Sequence, residues 1–516
     1  MITFNPELYE KLGEGINASA DLVQCTLGPA GRNVAFDPIT DVPYILNNGK
    51  DIIKHLHFSD KITAIGSDII KSSMAKAYWA SGDGSVAAAV LIKSIWNNGM
   101  INIAAGADPM AIMRGIRKAS AAAAKAIALS ADKTDGFSTG DIYNIAKTAG
   151  SGRDDIAEIV SDVYEKIGPD GYVSVSDSQM AETVINVYNG VRWEEGFSGY
   201  EESSLTLENP LVLLLNKVID DVRVVFPALE YARDNHRALL VIARELKDDV
   251  KKALAYVKAN GGIDVVGVNA PGHGDVRDLN MKYFGIMFNA KVYDEITLDA
   301  EAVSPQGCGW VGKAVIGKKE TLLQDIPNAD DPLVLQRKEE LLSQLKDIKS
   351  EDDRYRIEQM LMPISGKTAE ILVGGVMEME MFEKKYLTDN AIHSVLNAIK
   401  TGYLPGGGKA YILGIPAAEE CAKELEGDER AGAKILIDAL KEPMRQIIRN
   451  AGENPDSIIE KIEKSEKYTG YNVLSMKFED FKQSGVLDSL ACVQSAVEIA
   501  VSSVSTALSV SACITE

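Results

Sequence analysis

Three short apolar segments in the middle of the chain alternate with helical segments, and this alternation constrains the fold more than any other feature. The segments 212–215, 239–243 and 265–268 are rich in branched aliphatic residues, and helical patterns cover 226–234 and 248–260. Strands and helices that alternate in this way are typical of βαβ units, whose strands lie parallel in one sheet. The pattern therefore predicts a parallel α/β core in the middle of the chain.

The segments on both sides of this core are predominantly helical. Apolar residues recur at helical spacing over 6–27, an alanine-rich helix is predicted over 108–131, and further helices are predicted over 387–400 and 490–510. A chain of 516 residues is too long for a single hydrophobic core. An α/β domain inserted into a helical domain that both chain ends build would explain this order.

Two segments between the helical start and the α/β middle alternate between apolar and polar residues. They cover 172–176 and 183–188. Alternation of this kind is typical of half-buried strands, and the short gap between the segments predicts that they pair with each other.

A Ser-Gly-Asp-Gly-Ser stretch at residues 81–85 lies between two predicted helices. We predict Ser85 as the N-cap of the second helix, and the glycines beside Asp83 let the backbone approach a ligand closely. Free N–H groups and the positive end of a helix dipole favour an anion at this point, and Asp83 could bind the magnesium that accompanies phosphates. The alternative is an ordinary turn, because Gly-Asp-Gly is also common in turns.

A second glycine-rich loop, residues 28–31, follows the first predicted helix. Its Gly-Pro-Ala-Gly sequence would leave backbone N–H groups exposed, which again suits a phosphate. The alternative is a plain helix stop, for which glycine and proline are equally suited.

Composition narrows the range of partners and compartments. A net charge of −21 argues against nucleic acid or an anionic membrane as the main partner. The apolar segment at 490–513 contains Gln494 and Glu498 and is expected to be a buried helix rather than a membrane span. No signal peptide is expected, and widely spaced cysteines without a CxxC pair predict reduced thiols in a cytoplasmic protein without a zinc site. The cysteines are Cys25, Cys308, Cys421, Cys492 and Cys513.

Several stretches, taken together and in order, resemble one family, the group I chaperonins, and the chain is identified as a divergent member. A lone Gly-Asp-Gly is a weak signal, whereas ordered matches from about residue 6 to residue 515 are specific. The matching stretches are TLGPAGRNV (26–34), KD (50–51), GDG (82–84), AAGADPM (104–110), RGI (114–116), APGHGD (270–275), GGG (406–408), AGENP (451–455), GYN (470–472) and GVLD (485–488).

The resemblance implies a multidomain α+β architecture, the chaperonin fold. A mainly helical equatorial domain would be formed by both chain ends, residues 1–131 and 402–516. Residues 132–188 and 369–401 would form a small intermediate domain, and residues 189–368 an α/β apical domain inserted in the middle. The resemblance further implies a homo-oligomeric ring, heptameric and either single or double, with non-native polypeptides as clients and a co-chaperonin as a further partner.

The resemblance also implies a site for ATP or ADP with Mg²⁺, and with K⁺ as a further candidate cation. Asp83 would bind the metal, and Asp51 would act as a catalytic residue near the γ-phosphate, which water attacks in line. The residues implied to contact the nucleotide are Thr26, Leu27, Gly28, Pro29, Lys50, Gly82, Gly84, Ser85, Gly407, Asn472, Val473 and Asp488.

The sequence departs from the family pattern at two places in this site. The family has a row of hydroxyl residues after Gly-Asp-Gly, and here only Ser85 remains, followed by Val86. The family also has an aspartate that positions the attacking water, and alignment through Gly402 places Asn390 there, with Asp389 just before it. Neighbouring helical residues point about 100° apart, so only one of the two can face the site. We retain both Asn390 and Asp389 as candidate catalytic residues and expect slow hydrolysis.

The family's client-binding helices map onto the middle of the chain. They place Phe226, Leu229, Ala255 and Tyr256 in an apical groove, with Phe197 and Tyr200 nearby. Exposed apolar side chains there would bind non-native chains through burial of apolar surface, and the alternative is that some of them belong to the core.

The expected function is that of an ATP-dependent chaperonin, an ATPase that couples hydrolysis to protein folding. The alternative is a nucleotide-binding holdase or scaffold ring with a weak ATPase. A conventional metabolic enzyme is disfavoured, because the sequence contains no other catalytic constellation.

Overall fold

The structure is a computed structural model that describes residues 2–36, 44–133, 138–168, 171–178, 180–197, 204–300, 302–347 and 351–515. The chain divides into two compact units. Unit 1 consists of Met1–Glu165, Val175–Val184 and Leu372–Glu516, and unit 2 consists of Lys166–Ser174 and Ile185–Ile371. The residues predicted for an intermediate domain do not form a third unit, and the division into equatorial, intermediate and apical domains stays a prediction.

The first part of the chain is mostly helical, and the helices predicted over 6–27 and 108–131 are confirmed with slightly different ends. The second of these helices begins at Pro109 because the Asp108 side chain accepts hydrogen bonds from the N–H groups of Met110 and Ala111, both at 3.1 Å. The elements are β1 (Ile2–Phe4), α1 (Glu7–Gln24), β2 (Val34–Phe36), β3 (Tyr44–Leu46), α2 (Gly49–Lys54), α3 (Lys61–Ser81), α4 (Ser85–Ala104), α5 (Pro109–Leu129), α6 (Thr139–Ala149) and α7 (Asp154–Ile167).

The middle of the chain contains most of the strands. Short 3₁₀ segments occur at Val222–Val225, Pro305–Gly307 and Met362–Ile364. The other elements are β4 (Tyr172–Asp177), β5 (Val184–Asn189), β6 (Val191–Trp193), β7 (Ser204–Glu208), β8 (Leu211–Ile219), α8 (Phe226–Asp234), β9 (Leu239–Leu246), α9 (Asp248–Gly261), β10 (Val265–Asn269), α10 (Asp275–Phe288), β11 (Val292–Asp294), α11 (Glu295–Ala300), β12 (Gly309–Trp310), β13 (Lys313–Gly317), β14 (Thr321–Gln324), α12 (Pro332–Asp347), α13 (Glu351–Leu361) and β15 (Lys367–Val373).

The predicted parallel sheet is confirmed in unit 2. Strands β10, β9, β8 and β11 lie side by side in that order and run parallel, and β12 pairs antiparallel with β8. Alternate residues of β8 enter two different hydrophobic clusters: Val212 and Leu214 enter one, and Leu213 the other. Burial on both faces explains why this strand is continuously apolar in sequence.

The remaining strands form smaller sheets. Strands β6, β14, β13 and β7 make an antiparallel four-stranded sheet. Strands β4 and β5 do not pair with each other as the alternation at 172–176 and 183–188 predicts, because β15 lies between them in a sheet of order β4–β15–β5. The sequence pattern identified both strands correctly and their neighbours wrongly.

The last part of the chain returns to helices. Helix α21 (Leu490–Leu508) is long and apolar enough to cross a membrane by length and composition alone, but it packs into the core of unit 1, as predicted. The elements are α14 (Glu378–Thr401), β16 (Tyr403–Pro405), α15 (Lys409–Ile412), α16 (Ile415–Glu424), α17 (Gly427–Ala439), α18 (Glu442–Asn450), α19 (Pro455–Glu463), β17 (Thr469–Asn472), β18 (Lys477–Asp480), α20 (Phe481–Ser484), β19 (Leu487–Ser489), α21 (Leu490–Leu508) and β20 (Ala512–Ile514).

One hydrophobic cluster joins the two ends of the chain in unit 1. It includes Leu8 of α1 and Leu508 of α21. Strand β1 pairs antiparallel with β20, with Ile2 opposite Ile514. The Tyr9 hydroxyl donates a hydrogen bond to the carbonyl oxygen of Leu508 at 2.7 Å. The core that positions the candidate site therefore depends on both ends.

Candidate functional site

The Gly-Asp-Gly loop connects α3 to α4 through two residues in the left-handed region. Gly82 (φ +74°) ends α3, and Gly84 (φ +80°) precedes the first residue of α4. Both conformations favour glycine, because a Cβ atom makes the left-handed region costly. The prediction that Ser85 is the N-cap is wrong: Ser85 is the first helical residue, and Gly84 occupies the cap position without a side chain to cap the helix.

The loop forms one wall of a cavity of about 510 Å³ in unit 1. Chain regions that are far apart in sequence contribute to this cavity, which is the arrangement that the predicted nucleotide site requires. The predicted residues that line it are Thr26, Leu27, Gly28, Pro29, Asp83, Gly84, Ser85, Asn390, Gly407, Asn472, Val473 and Asp488.

Two carboxylates face this cavity. The Asp83 carboxylate accepts a hydrogen bond from the Gly84 N–H at 2.6 Å, and burial raises its pKa. Burial, with a further contribution from the charge of Asp83, raises the pKa of Asp488 to about 7. No ion pair joins either carboxylate to a basic side chain within the part of the chain that the structure describes. The pair therefore has no ion-pair partner among the described residues.

These carboxylates fit a divalent cation that is bound together with phosphates. Mg²⁺ is usually held by one or two carboxylates and by phosphate oxygens of the substrate rather than by a full set of protein ligands. In the described ranges, no group of three or more His, Cys, Asp or Glu residues could hold a metal alone. The donor set thus suits a cation that arrives with a nucleotide.

Asn390 and Asp389 point in different directions from α14. Asn390 lines the cavity, is only 3% exposed, and its carbonyl oxygen is buried without a hydrogen-bond partner. Asp389 does not line the cavity; its carboxylate accepts a hydrogen bond from the Tyr78 hydroxyl at 2.5 Å. Of the two candidates, Asn390 therefore faces the cavity, as the alignment through Gly402 predicts.

Lys50 and Asp51 do not line the cavity, in contrast to the prediction. The Lys50 ammonium lies 3.6 Å from the centre of the Tyr78 ring, a cation–π contact. The Asp51 carboxylate pairs with Lys54 at 2.8 Å and accepts a hydrogen bond from the Asn48 amide at 2.6 Å. Both side chains are held by neighbours near the start of α2, and Gly49 lines the cavity in their place.

Gly82 also does not line the cavity, and its role is different from the predicted nucleotide contact. A Cβ atom at this position would lie 2.0 Å from the Cβ atom of His393 on α14. The Asn397 amide donates a hydrogen bond to the carbonyl oxygen of Ser81 at 3.1 Å. Gly82 therefore allows α14 to pack directly against the end of α3.

Several residues that line the cavity were missed in the sequence. Tyr386 and Leu387 come from α14, and Tyr411 and Cys492 from the C-terminal region. The segment 147–153 also lines it, with the basic side chains Lys147 and Arg153, and its Gly-Ser-Gly-Arg sequence is a signal that could have been used. The others lie in ordinary helical patterns that carry no local signal of a site.

The predicted client-binding residues of unit 2 differ in exposure. Phe226 and Tyr256 are 43% and 70% exposed, and Ala255 is half-buried. Leu229 and Phe197 are buried, so the prediction that they present apolar surface is wrong in this structure. Leu229 lies on the side of α8 that packs into one hydrophobic cluster of the sheet, and Phe197 belongs to the other. Tyr200 lies outside the described residues.

The comparison with known families agrees with this geometry. Residues 20–516, almost the whole chain, match the family described as the TCP-1/cpn60 chaperonin family. Such chaperonins assist protein folding, depend on nucleotides, generally hydrolyse ATP, and bind non-native chains as oligomeric rings. The helix-rich α+β fold described above is consistent with this match. The chain therefore belongs to the TCP-1/cpn60 chaperonin family.

Proposed function

We propose that this protein is an ATP-dependent chaperonin of the group I type, which binds non-native polypeptides and couples slow ATP hydrolysis to their folding. The observation that carries the proposal is the cavity in unit 1, where glycine-rich loops meet Asp83 and Asp488, two carboxylates with which no described basic side chain forms an ion pair. A magnesium–nucleotide complex supplies a positive charge for these carboxylates and the phosphates that the loops suit.

The nucleotide phosphates would lie between the Thr26–Pro29 loop and the start of α4. Helix α4 has 20 residues and begins directly after Gly84, so its free N–H groups and dipole favour a negative charge there. Asp83 would hold Mg²⁺, which neutralises charge on the phosphates. Asp488, Asn472 and Val473 line the same cavity and would contact the ribose and the base.

Asn390 would orient the water that attacks the γ-phosphate. Its unpartnered carbonyl oxygen can accept a hydrogen bond from that water. An amide cannot take a proton as a carboxylate can, and loss of a general base typically costs about 10²–10⁴-fold in rate. Phosphoryl transfer depends mostly on positioning and charge neutralisation, so we expect the lower part of this range.

Clients would bind to exposed apolar residues of unit 2, among them Phe226 and Tyr256. Burial of apolar surface contributes about 25 cal/mol per Å² and requires no specific sequence in the client. We further propose a heptameric ring in one or two layers, assisted by a co-chaperonin. The five free thiols agree with a cytoplasmic location.

A phosphate-release assay with Asp83→Asn tests the proposal. The substitution keeps the size of the side chain and removes the charge that would bind Mg²⁺, so hydrolysis is expected to fall below detection while the fold is kept. Asp68→Asn on the exposed side of α3 is the matched control and is expected to hydrolyse ATP like the parent. Equal turnover in Asp83→Asn and the parent would refute the placement of the site.

The alternative function, a holdase ring with a weak ATPase, is favoured by one observation, the amide of Asn390 in place of a carboxylate. The two functions differ in whether hydrolysis releases folded clients. A parent protein that suppresses aggregation of a denatured client but yields no folded client with ATP would support the holdase.

A further inference from the structure

Tyr386 is a cavity residue for which the proposed nucleotide site has no assigned role. It lies on α14 one turn before Asn390, and both side chains line the cavity together with Ser85. Residues four apart on a helix are neighbours on one face, which places the phenol beside the amide of Asn390. The three polar groups meet at the α14 side of the cavity.

The ring of Tyr386 packs against a second aromatic ring. It stacks on the ring of Tyr78, with the centres 6.2 Å apart and the planes inclined by 13°. The Tyr78 hydroxyl is fixed in turn by Asp389, and the Lys50 ammonium lies against the same ring. Through these contacts Tyr386 is a rigid support rather than a flexible side chain.

The hydroxyl of Tyr386 stays protonated, and the side chains of Asn390 and Ser85 lie close enough to influence its pKa. Burial raises its pKa, while hydrogen bonding with Asn390 and, more weakly, with Ser85 acts in the opposite direction. A phenol has one proton to donate and an oxygen that also accepts. It can therefore donate to the Ser85 hydroxyl and accept from the Asn390 amide nitrogen at the same time.

The orientation of an amide decides whether it helps or hinders the attack of water. With its carbonyl oxygen toward the water, Asn390 accepts a hydrogen bond from that water and leaves the attacking lone pair free. With its nitrogen toward the water, Asn390 would donate to that lone pair and oppose the attack. A carboxylate at this position would have two equivalent oxygens and no such requirement.

We propose that Tyr386 is a positioning residue for hydrolysis: its phenol oxygen accepts a hydrogen bond from the Asn390 amide nitrogen and turns the amide carbonyl oxygen toward the attacking water. The buried, unpartnered carbonyl oxygen of Asn390 is the state that this contact would maintain. This inference rests on the proposed ATPase and explains how an asparagine can serve in its site.

The test is a comparison of Tyr386→Phe with the parent in two backgrounds. The substitution keeps the ring and its stacking on Tyr78 and removes only the hydroxyl. A lost neutral hydrogen bond corresponds to a rate decrease of about 5- to 10-fold, and ADP affinity is expected to stay within about twofold. In the Asn390→Asp background, Tyr386→Phe is expected to change the rate by less than about twofold, because both carboxylate oxygens can accept from the water.

A second readout does not depend on turnover. ADP with aluminium fluoride mimics the γ-phosphoryl group in transfer, and its binding requires the positioned water. We expect Tyr386→Phe to weaken the binding of this complex about as much as it slows hydrolysis, while binding of ADP alone is kept. Tyr164→Phe is the control, because Tyr164 is a buried tyrosine of α7 whose hydroxyl has no partner. It is expected to match the parent in both assays.

The outcomes separate this inference from the proposed function. If the parent hydrolyses ATP and Tyr386→Phe either leaves the rate unchanged or slows it equally in both backgrounds, the role of Tyr386 is refuted. The proposed ATPase activity is not affected by that result. A parent that binds nucleotide but releases no phosphate would overturn the ATPase. In that case, equal affinities of the parent and Tyr386→Phe for ADP with aluminium fluoride would overturn this inference too, and a weaker affinity of the variant would support it.

Discussion

Gly82→Ala is expected to separate nucleotide binding from hydrolysis, because Gly82 lets α14 pack against the loop that carries Asp83. The new Cβ atom would lie 2.0 Å from the Cβ atom of His393, and ordinary contacts begin at 3.4 Å. The two backbones would have to separate by the difference, 3.4 − 2.0 = 1.4 Å, along this contact. The left-handed conformation of Gly82 adds about 1–2 kcal/mol of strain for alanine.

The expected effect on hydrolysis is large because α14 carries Asn390. A misplacement of about 1 Å can cost about 10²-fold in rate, so we expect phosphate release to fall by about that factor. The Thr26–Pro29 loop does not depend on Gly82, and ADP affinity is expected to change only a few-fold. Single-turnover phosphate release and calorimetric titration with ADP measure the two quantities.

Rescue variants make the steric argument specific. His393→Gly removes the atom that would clash, and it should restore much of the rate when combined with Gly82→Ala, apart from about 1 kcal/mol of helix stability. His393→Ala keeps the Cβ atom and should not rescue. Gly106→Ala controls for backbone strain, because Gly106 has φ +100° but nothing within 4 Å of an added Cβ. Parent-like hydrolysis in Gly82→Ala, or rescue by His393→Ala, would refute the reasoning.

Three further variants probe the cavity and the client surface. Asn390→Asp adds a charge that can polarise water and is expected to raise phosphate release by up to about 10²-fold with nucleotide affinity nearly unchanged; no increase, together with inactivity of Asp389→Asn, would assign the role to Asp389. The raised pKa of Asp488, about 7, means that the folded state binds more protons than the unfolded state between about pH 4 and 7, so this group lowers stability as the pH rises through that window. Asp488→Asn should therefore raise the free energy of unfolding of the nucleotide-free protein by up to about 4 kcal/mol at pH 8, seen as a higher thermal unfolding temperature, but not at pH 4. An equal shift of the unfolding temperature at both pH values would contradict the assignment. Phe226→Glu should impair suppression of aggregation of a denatured client, whereas Phe478→Glu, a similarly exposed phenylalanine in unit 1, should not; equal suppression by both variants would remove Phe226 from the client surface.

The elements that could be predicted from sequence are those whose cause is local. The strands β8, β9 and β10 are continuous apolar runs because both of their faces are buried, and the pattern identified all three. The pairing of β4 and β5 could not be predicted in the same way. Strand β15, which separates them, follows far later in the chain, and nothing within 172–188 indicates it.

In the candidate site too, features with a local cause could be predicted from sequence and features that depend on tertiary packing could not. The glycine loops and Asp83 are recognisable because positive backbone torsions demand glycine locally. Exposure is a tertiary property, which is why Leu229 could not be distinguished from Phe226 on the same short helix α8. Tyr386 gave no signal because its role depends on the packing of α14 against the end of α3, which no local pattern encodes.

The pairing of β1 with β20 has a consequence for folding of the protein during its synthesis on the ribosome. The core of unit 1 around Leu8 cannot be completed until the helix that ends at Leu508 has been made. At about 5–20 residues per second, synthesis of 516 residues takes roughly 25–100 s. Until then, the first helices can pack against one another, but the apolar surface that α21 covers on α3, α4 and α5 stays exposed, while the sheet of unit 2 can already form. Each new copy of this protein therefore exposes apolar surface that favours aggregation until its last helix has been made.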